Sequence, residues 1–201
     1  LTEGDWDGAL TTYKKINKIK KTDKETYGKG ESVLLFQKAK ELRSAGKTLE
    51  ALKVSRQALK RYAGLVPNSI MLSELELLEG QKKRAEAVLL STWKEIPHPD
   101  IAKKFAEIEN KESVEARIER FKKILNVKKT DTETKILNAE LNILSENFPE
   151  ARRAISDLIE TDKANAKVYT LMAAIEKGVG SSDAVVKGWL AKAVTAKRSK
   201  R

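Results

Sequence analysis

The chain has 201 residues, 40% of them hydrophobic and 34% charged, with no cysteine, one histidine and a formal net charge of +11. That composition is too apolar for a disordered chain, and the missing cysteines exclude disulfides, thiolate metal sites and a thiol nucleophile. No run reaches the roughly twenty apolar residues of a membrane-spanning helix, and the start lacks a secretory apolar region.

The first third carries most of the excess charge: residues 1–61 hold 15 Lys or Arg against 8 Asp or Glu. "EGDWDGAL" behind Leu1 reads as the turn and second helix of a repeat whose first helix lies upstream. The polar stretch 20–31, "KKTDKETYGKGE", holds two glycines and predicts a lengthened, mobile connection. From there the elements alternate. First helices are expected over 32–45, 69–79, 99–110, 132–146 and 166–178, each with apolar residues at three- and four-residue steps.

The second helices are "KTLEALKVSRQALKRY", "QKKRAEAVLLSTW", "ESVEARIERFKKIL", "NFPEARRAISDLI" and "DAVVKGWLAKAV". Each of the first four carries an early alanine, Ala51, Ala85, Ala116 and Ala151, at steps of 34, 31 and 35 residues, and in the last helix the equivalent is Ala184 or Val186. A small residue recurring at that period marks a helical repeat array, because helices cross closely only where side chains are short. Gly46 and Gly80 suit the hairpin turns, and Pro67, Pro97, Pro99 and Pro149 all fall at expected helix ends. No segment alternates with period two, so the expected fold class is all-α, an α-solenoid of helix pairs.

"GDWDGALTTY" at Gly4–Tyr13 and "NFPEARRAISDLI" resemble the tetratricopeptide repeat, a unit of about 34 residues. The resemblance implies a right-handed superhelical array over residues 1–195, about five helix pairs plus an N-terminal half repeat, with a basic tail at 196–201. Residues 70–194 also resemble the C-terminal part of proteobacterial HemY-type proteins, through "EGQKKRAEAVLLSTWKEIPHPDIAKKFAEI", "AKVYTLMAAIEKGVG" and "KGWLAKAV". That family has two N-terminal membrane helices before its cytosolic repeats and a link to heme biosynthesis. The resemblance therefore implies that the full-length protein sits at the cytoplasmic face of the bacterial inner membrane, with an anionic membrane surface among its partners through that anchor. The fragment itself is expected to be soluble.

Little in the chain can carry chemistry. One histidine and no cysteine do not assemble a nucleophile, base and orienting group, so catalytic, cofactor-binding and metal residues are all expected to be none. His98, between two prolines, reads as a turn residue, and Tyr13, Tyr27, Tyr62 and Tyr169 are axial ligands only in principle. Glu74, Glu76 and Glu79 read as the polar side of an amphipathic helix, and Trp6, Trp93 and Trp189 as packing.

In tetratricopeptide arrays the first helices line the concave face. Mapped onto this chain, that face holds Phe36, Lys40, Arg43, Ile70, Glu74, Phe105, Ile108, Ile136, Glu140 and Ile175. The expected function is a non-catalytic scaffold that binds a protein or peptide there, with Lys40 and Arg43 drawing an acidic or carboxylate-ended segment. The alternatives are a porphyrin or heme-binding chaperone and, last, nucleic-acid binding through the basic N-terminal third, which shows no recognised reader motif and no aromatic residues interleaved with its basic ones.

Overall fold

Leucine- and alanine-rich stripes at helical spacing leave this chain one economical way to bury apolar surface, which is helix against helix. The computed structural model describes residues 4–161 and 163–198, and among these every regular element is an α-helix. The chain forms two compact units, Leu1–Asn110 and Lys111–Arg201. The first holds α1 (Trp6–Lys20), α2 (Lys24–Ser44), α3 (Thr48–Arg61), α4 (Val66–Leu78), α5 (Lys82–Glu95) and α6 (Pro99–Glu107). The second holds α7 (Val114–Leu125), α8 (Thr132–Leu144), α9 (Phe148–Glu160), α10 (Ala166–Gly178) and α11 (Asp183–Arg198).

Four hairpins, α2/α3, α4/α5, α8/α9 and α10/α11, share one turn. Gly46, Gly80, Glu146 and Gly180 all adopt left-handed backbone angles, with φ of 74°, 70°, 57° and 79°. The following amide closes the helix end in each: Lys47 N–H donates to Leu42 C=O at 2.9 Å, Gln81 to Glu76 at 2.8 Å, Asn147 to Asn142 at 2.8 Å and Ser181 to Glu176 at 2.9 Å. This is the Schellman closure, which satisfies carbonyls that a helix end leaves open. Gly46 to Gly80 and Glu146 to Gly180 are each 34 residues, the period expected of helix–turn–helix repeats.

Five residues beyond the turn stands the small residue of the repeat. Ala51, Ala85 and Ala151 are fully buried, which lets the paired helices approach closely. Ala116 does not belong to this series, for it is exposed on α7, whose buried side chains are Phe121 and Ile124. In the last pair the turn at Gly180 puts Val185, rather than Ala184 or Val186, at the equivalent place, and Val185 is exposed.

In the first unit α2 and α3 bury Ala39, Ala51 and Leu52 against Met71, Leu72 and Leu75 of α4, and Leu10 of α1 packs with Leu35 and Ala58. In the second unit Ile136, Ala139, Ile155, Leu158, Val168, Met172 and Ile175 join α8, α9 and α10, with Phe148 and Trp189 packed on them. Fully burying one such Leu or Ile contributes about 2 kcal/mol.

The expected connection at 20–31 is mostly helix instead. Asp23 caps α2 by accepting from Thr26 N–H at 2.9 Å, and α2 runs 21 residues. Gly28 and Gly30 are packing glycines within it. A Cβ on Gly28 would stand 2.7 Å from the Arg61 carbonyl oxygen, and one on Gly30 would overlap the Tyr13 ring. Of the expected tail at 196–201, residues 196–198 continue α11 and the rest lie outside the described residues.

Candidate partner-binding site

Read from the shared turn, Phe36 and Ile70 stand ten residues before it, and Lys40, Glu74 and Glu140 six residues before it. These positions face outward on the first helices of their pairs. Phe36 and Ile70 are half-buried, and exposed Lys40 holds its Nζ 5.8 Å from the Phe36 ring centroid, a cation resting on an apolar face.

Across the first unit the same face carries a row of charges. Arg43 of α2 donates to Glu74 of α4 at 2.9 Å, Lys104 of α6 meets the other Glu74 oxygen at 2.8 Å, and Lys104 also pairs with Glu107 at 2.9 Å. Burial alone would push the Glu74 carboxyl up, but the hydrogen bonds from Lys104 and Arg43 outweigh it and hold the group below the ordinary carboxylate range. Lys104 mirrors this: burial lowers its pKa, its bonds to Glu74 and Glu107 raise it more, and it stays charged. In the second unit Glu140 pairs with Lys167 of α10, so both glutamates six residues before a turn bind a lysine of the next first helix.

Three of the expected face residues lie inside instead. Phe105 and Ile175 are fully buried and Ile136 is 4% exposed, so their side chains pack between helices. For Phe105 and Ile175 the reason is register, whereas Ile136 stands ten residues before its turn, as Phe36 and Ile70 do, and is buried in the core that α8, α9 and α10 share. Ile175 stands five residues before its turn, the place of buried Leu75 and Leu141, while exposed Ala174 holds the sixth. Phe105 is one residue from Lys104, about 100° round the helix. Ile108, four residues beyond Lys104, is half-buried. Lys104 and Lys167 are the residues of this candidate face that sequence reasoning passed over, and the acidic Glu74 and Glu140, 30 and 27 positions earlier on the preceding first helices, were the available signal.

The acidic cluster on α4 divides by role. Glu76 is 2% exposed and accepts both Nε and Nη2 of Arg56, each at 2.7 Å, joining α3 to α4. Glu176, at the same place before its own turn, binds Arg152 at 2.7 Å and accepts from Ser181 Oγ at 2.5 Å. Those bonds, Ser181 foremost, hold Glu176 below the usual carboxylate range against the opposing effect of burial. His98 caps α6 in an extended conformation, its Nδ1 accepting from Asp100 N–H at 3.2 Å. Trp93 is fully buried, while Trp189 stacks on Tyr169 at 6.2 Å between centroids. Among the described residues no group of three or more His, Cys, Asp or Glu is placed to hold a metal, and no helix is long and apolar enough to cross a membrane.

No protein-family model matches the chain, and no curated protein matches it. Several solved structures are similar to the chain at low identity. A tetratricopeptide repeat protein from Parabacteroides merdae ATCC 43184 is 19% identical, covering 96% of this chain and 74% of its own, with a TM-score of 0.47. YrrB, described as a TPR protein with an unusual peptide-binding site, is 14% identical over 92% of each chain at TM-score 0.47. The MamA protein is 14% identical over 84% of this chain and 93% of its own, at TM-score 0.48. The fold assignment rests on the repeated turns and buried alanines, not on these likenesses.

Proposed function

We propose that the chain is a non-catalytic scaffold that holds a protein or peptide on the face made by its first helices. The row Phe36, Lys40, Arg43, Ile70, Glu74 and Lys104 carries this reading: it sets half-buried apolar groups beside ordered charges on a repeated surface, a pattern suited to reading a segment of mixed character. Arg43 is already engaged by Glu74, which leaves Lys40 as the group that draws a partner's acidic side chain. Glu140 and Ile108 extend the candidate surface in their own units. The resemblance to HemY-type proteins supports a partner connected with heme biosynthesis at the cytoplasmic face of the inner membrane.

The test is affinity capture with the purified chain. Lys40→Glu and Ile70→Asp should each cut recovery of a specific partner by about tenfold, which a loss near 1.4 kcal/mol produces. Lys53→Glu, exposed on the second helix α3, should leave it unchanged. Equal recovery by all three variants would remove the assignment of this face.

A further inference from the structure

Within the first unit the outward face of the first helices is divided into two bands. Thirteen and ten residues before each shared turn it is apolar, with Val33 and Phe36 on α2 and Pro67 and Ile70 on α4. Val33 is 43% exposed, Pro67 is exposed, and Phe36 and Ile70 are half-buried. One helical turn nearer the hairpin the face is charged, carrying Lys40 on α2, Glu74 on α4 and Lys104 on α6, with Arg43 beside them. The second unit has no such division. There the places of Val33 and Phe36 are taken by Glu133 and buried Ile136 on α8, and by Lys167 and Thr170 on α10, so the apolar band is not a by-product of the repeat.

Charge and spacing limit what fits these bands. Lys40, Arg43 and Lys104 against Glu74 and Glu107 leave one positive charge over, and it resides on Lys40, which has no carboxylate partner among the described residues. The bonds from Arg43 to Glu74 and from Lys104 to Glu74 make α2, α4 and α6 neighbours, and neighbouring helix axes lie about 10 Å apart. A helix laid across them advances about 10 Å in seven residues, so its apolar side chains at i and i+7 reach α2 and α4 in turn. Its polar flank then lies alongside the apolar stripe, as the charged band lies alongside the apolar one. An extended strand puts its two kinds of side chain on opposite faces and cannot meet both bands at once.

We propose that the first unit binds an amphipathic helix of a partner protein, laid across α2 and α4 with its apolar stripe on Val33, Phe36, Pro67 and Ile70 and an acidic flank over Lys40. This rests on the reading of that face as the binding surface and names its occupant. The apolar stripe supplies most of the affinity, and the acidic flank sets the orientation. Turned the other way round, the helix would hold its carboxylates over apolar side chains and leave Lys40 without an acid to meet.

The experiment is selection of a phage-displayed random peptide library, about sixteen residues long, on the whole 201-residue chain, followed by affinity and circular dichroism of the selected peptides. They should carry apolar residues at i, i+3 or i+4 and i+7 with Asp or Glu along one flank, and gain helix on binding. Val33→Asp, at an exposed position, should weaken them about tenfold while keeping the parent chain's helical spectrum. Replacing the flank acids by Gln should remove most of their sensitivity to Lys40→Glu. Selected peptides with a period-two or proline-rich pattern that bind without gaining helix would overturn the helical occupant and leave the face in place. Peptides indifferent to both Lys40→Glu and Ile70→Asp would remove the face itself. Unchanged binding to Val33→Asp, or a selection that enriches no sequence, would also overturn the proposal.

Discussion

Glu146 occupies a left-handed turn position that glycine fills in the three sibling hairpins. A Cβ there meets the carbonyl oxygen, at a cost of about 1 kcal/mol. Glu146→Gly should therefore raise stability by about 0.5–1 kcal/mol, and Gly80→Ala should lower it by about the same amount, both read from urea midpoints. Gly28 makes the opposite case. Helix propensity alone says that alanine in a helix interior gains about 1 kcal/mol over glycine. The Arg61 carbonyl, 2.7 Å from the added Cβ, is backbone and cannot swing aside, so Gly28→Ala should instead lose about 1–3 kcal/mol. A stabilised Gly28→Ala variant would show that α2 and the end of α3 do not approach as described. The same glycines explain why the stretch 20–31 misled a reading of sequence: glycine in a polar run signals a turn, and only the neighbouring helix reveals that it answers a packing demand.

Ion pairs close the start of α7, where Glu112 binds Arg117 and Arg120, and join α9 to α10, where Arg152 binds Glu176, and their pH dependence has a definite sign. Glu112 is held below the ordinary carboxylate range chiefly by its hydrogen bond from Arg120, and Glu176 by those from Ser181 and Arg152. For groups lowered on folding, the stabilisation is present above the unfolded value, about 4.3 for Glu, and disappears as pH falls through the folded value. The urea midpoint should thus fall steeply below about pH 4. Glu176→Gln should flatten part of that fall and lower stability at neutral pH by about 1–3 kcal/mol, since Arg152 and Ser181 lose a charged acceptor. An unchanged acid slope in that variant would mean Glu176 is not held by these bonds. Helix positions were legible from apolar spacing, as α4, α8, α9 and α10 show, because apolar residues recur in each at three- and four-residue steps. Ala116 was not, since an alanine in "VEARI" looks the same whether it is buried at a crossing or exposed to solvent.

For the whole molecule, the sequence made the class of structure plain, and of the residues expected on the candidate face it separated exposed from buried only in part. Helical hairpins echo at 34 residues because the turn and the small residue are local features. A face depends on absolute register, and a slip of one residue, as at Ile175, carries a side chain from the surface to the core. The central claim is that the first helices hold a partner, and site-specific photo-crosslinking in cells producing the protein tests it most directly. A photoreactive residue at Lys40 or Ile70, on α2 and α4, should give one discrete protein adduct, while the same residue at Lys53 or Ala87, exposed on α3 and α5, should give none. Adducts of equal yield from all four positions, or from Lys53 and Ala87 alone, would contradict it.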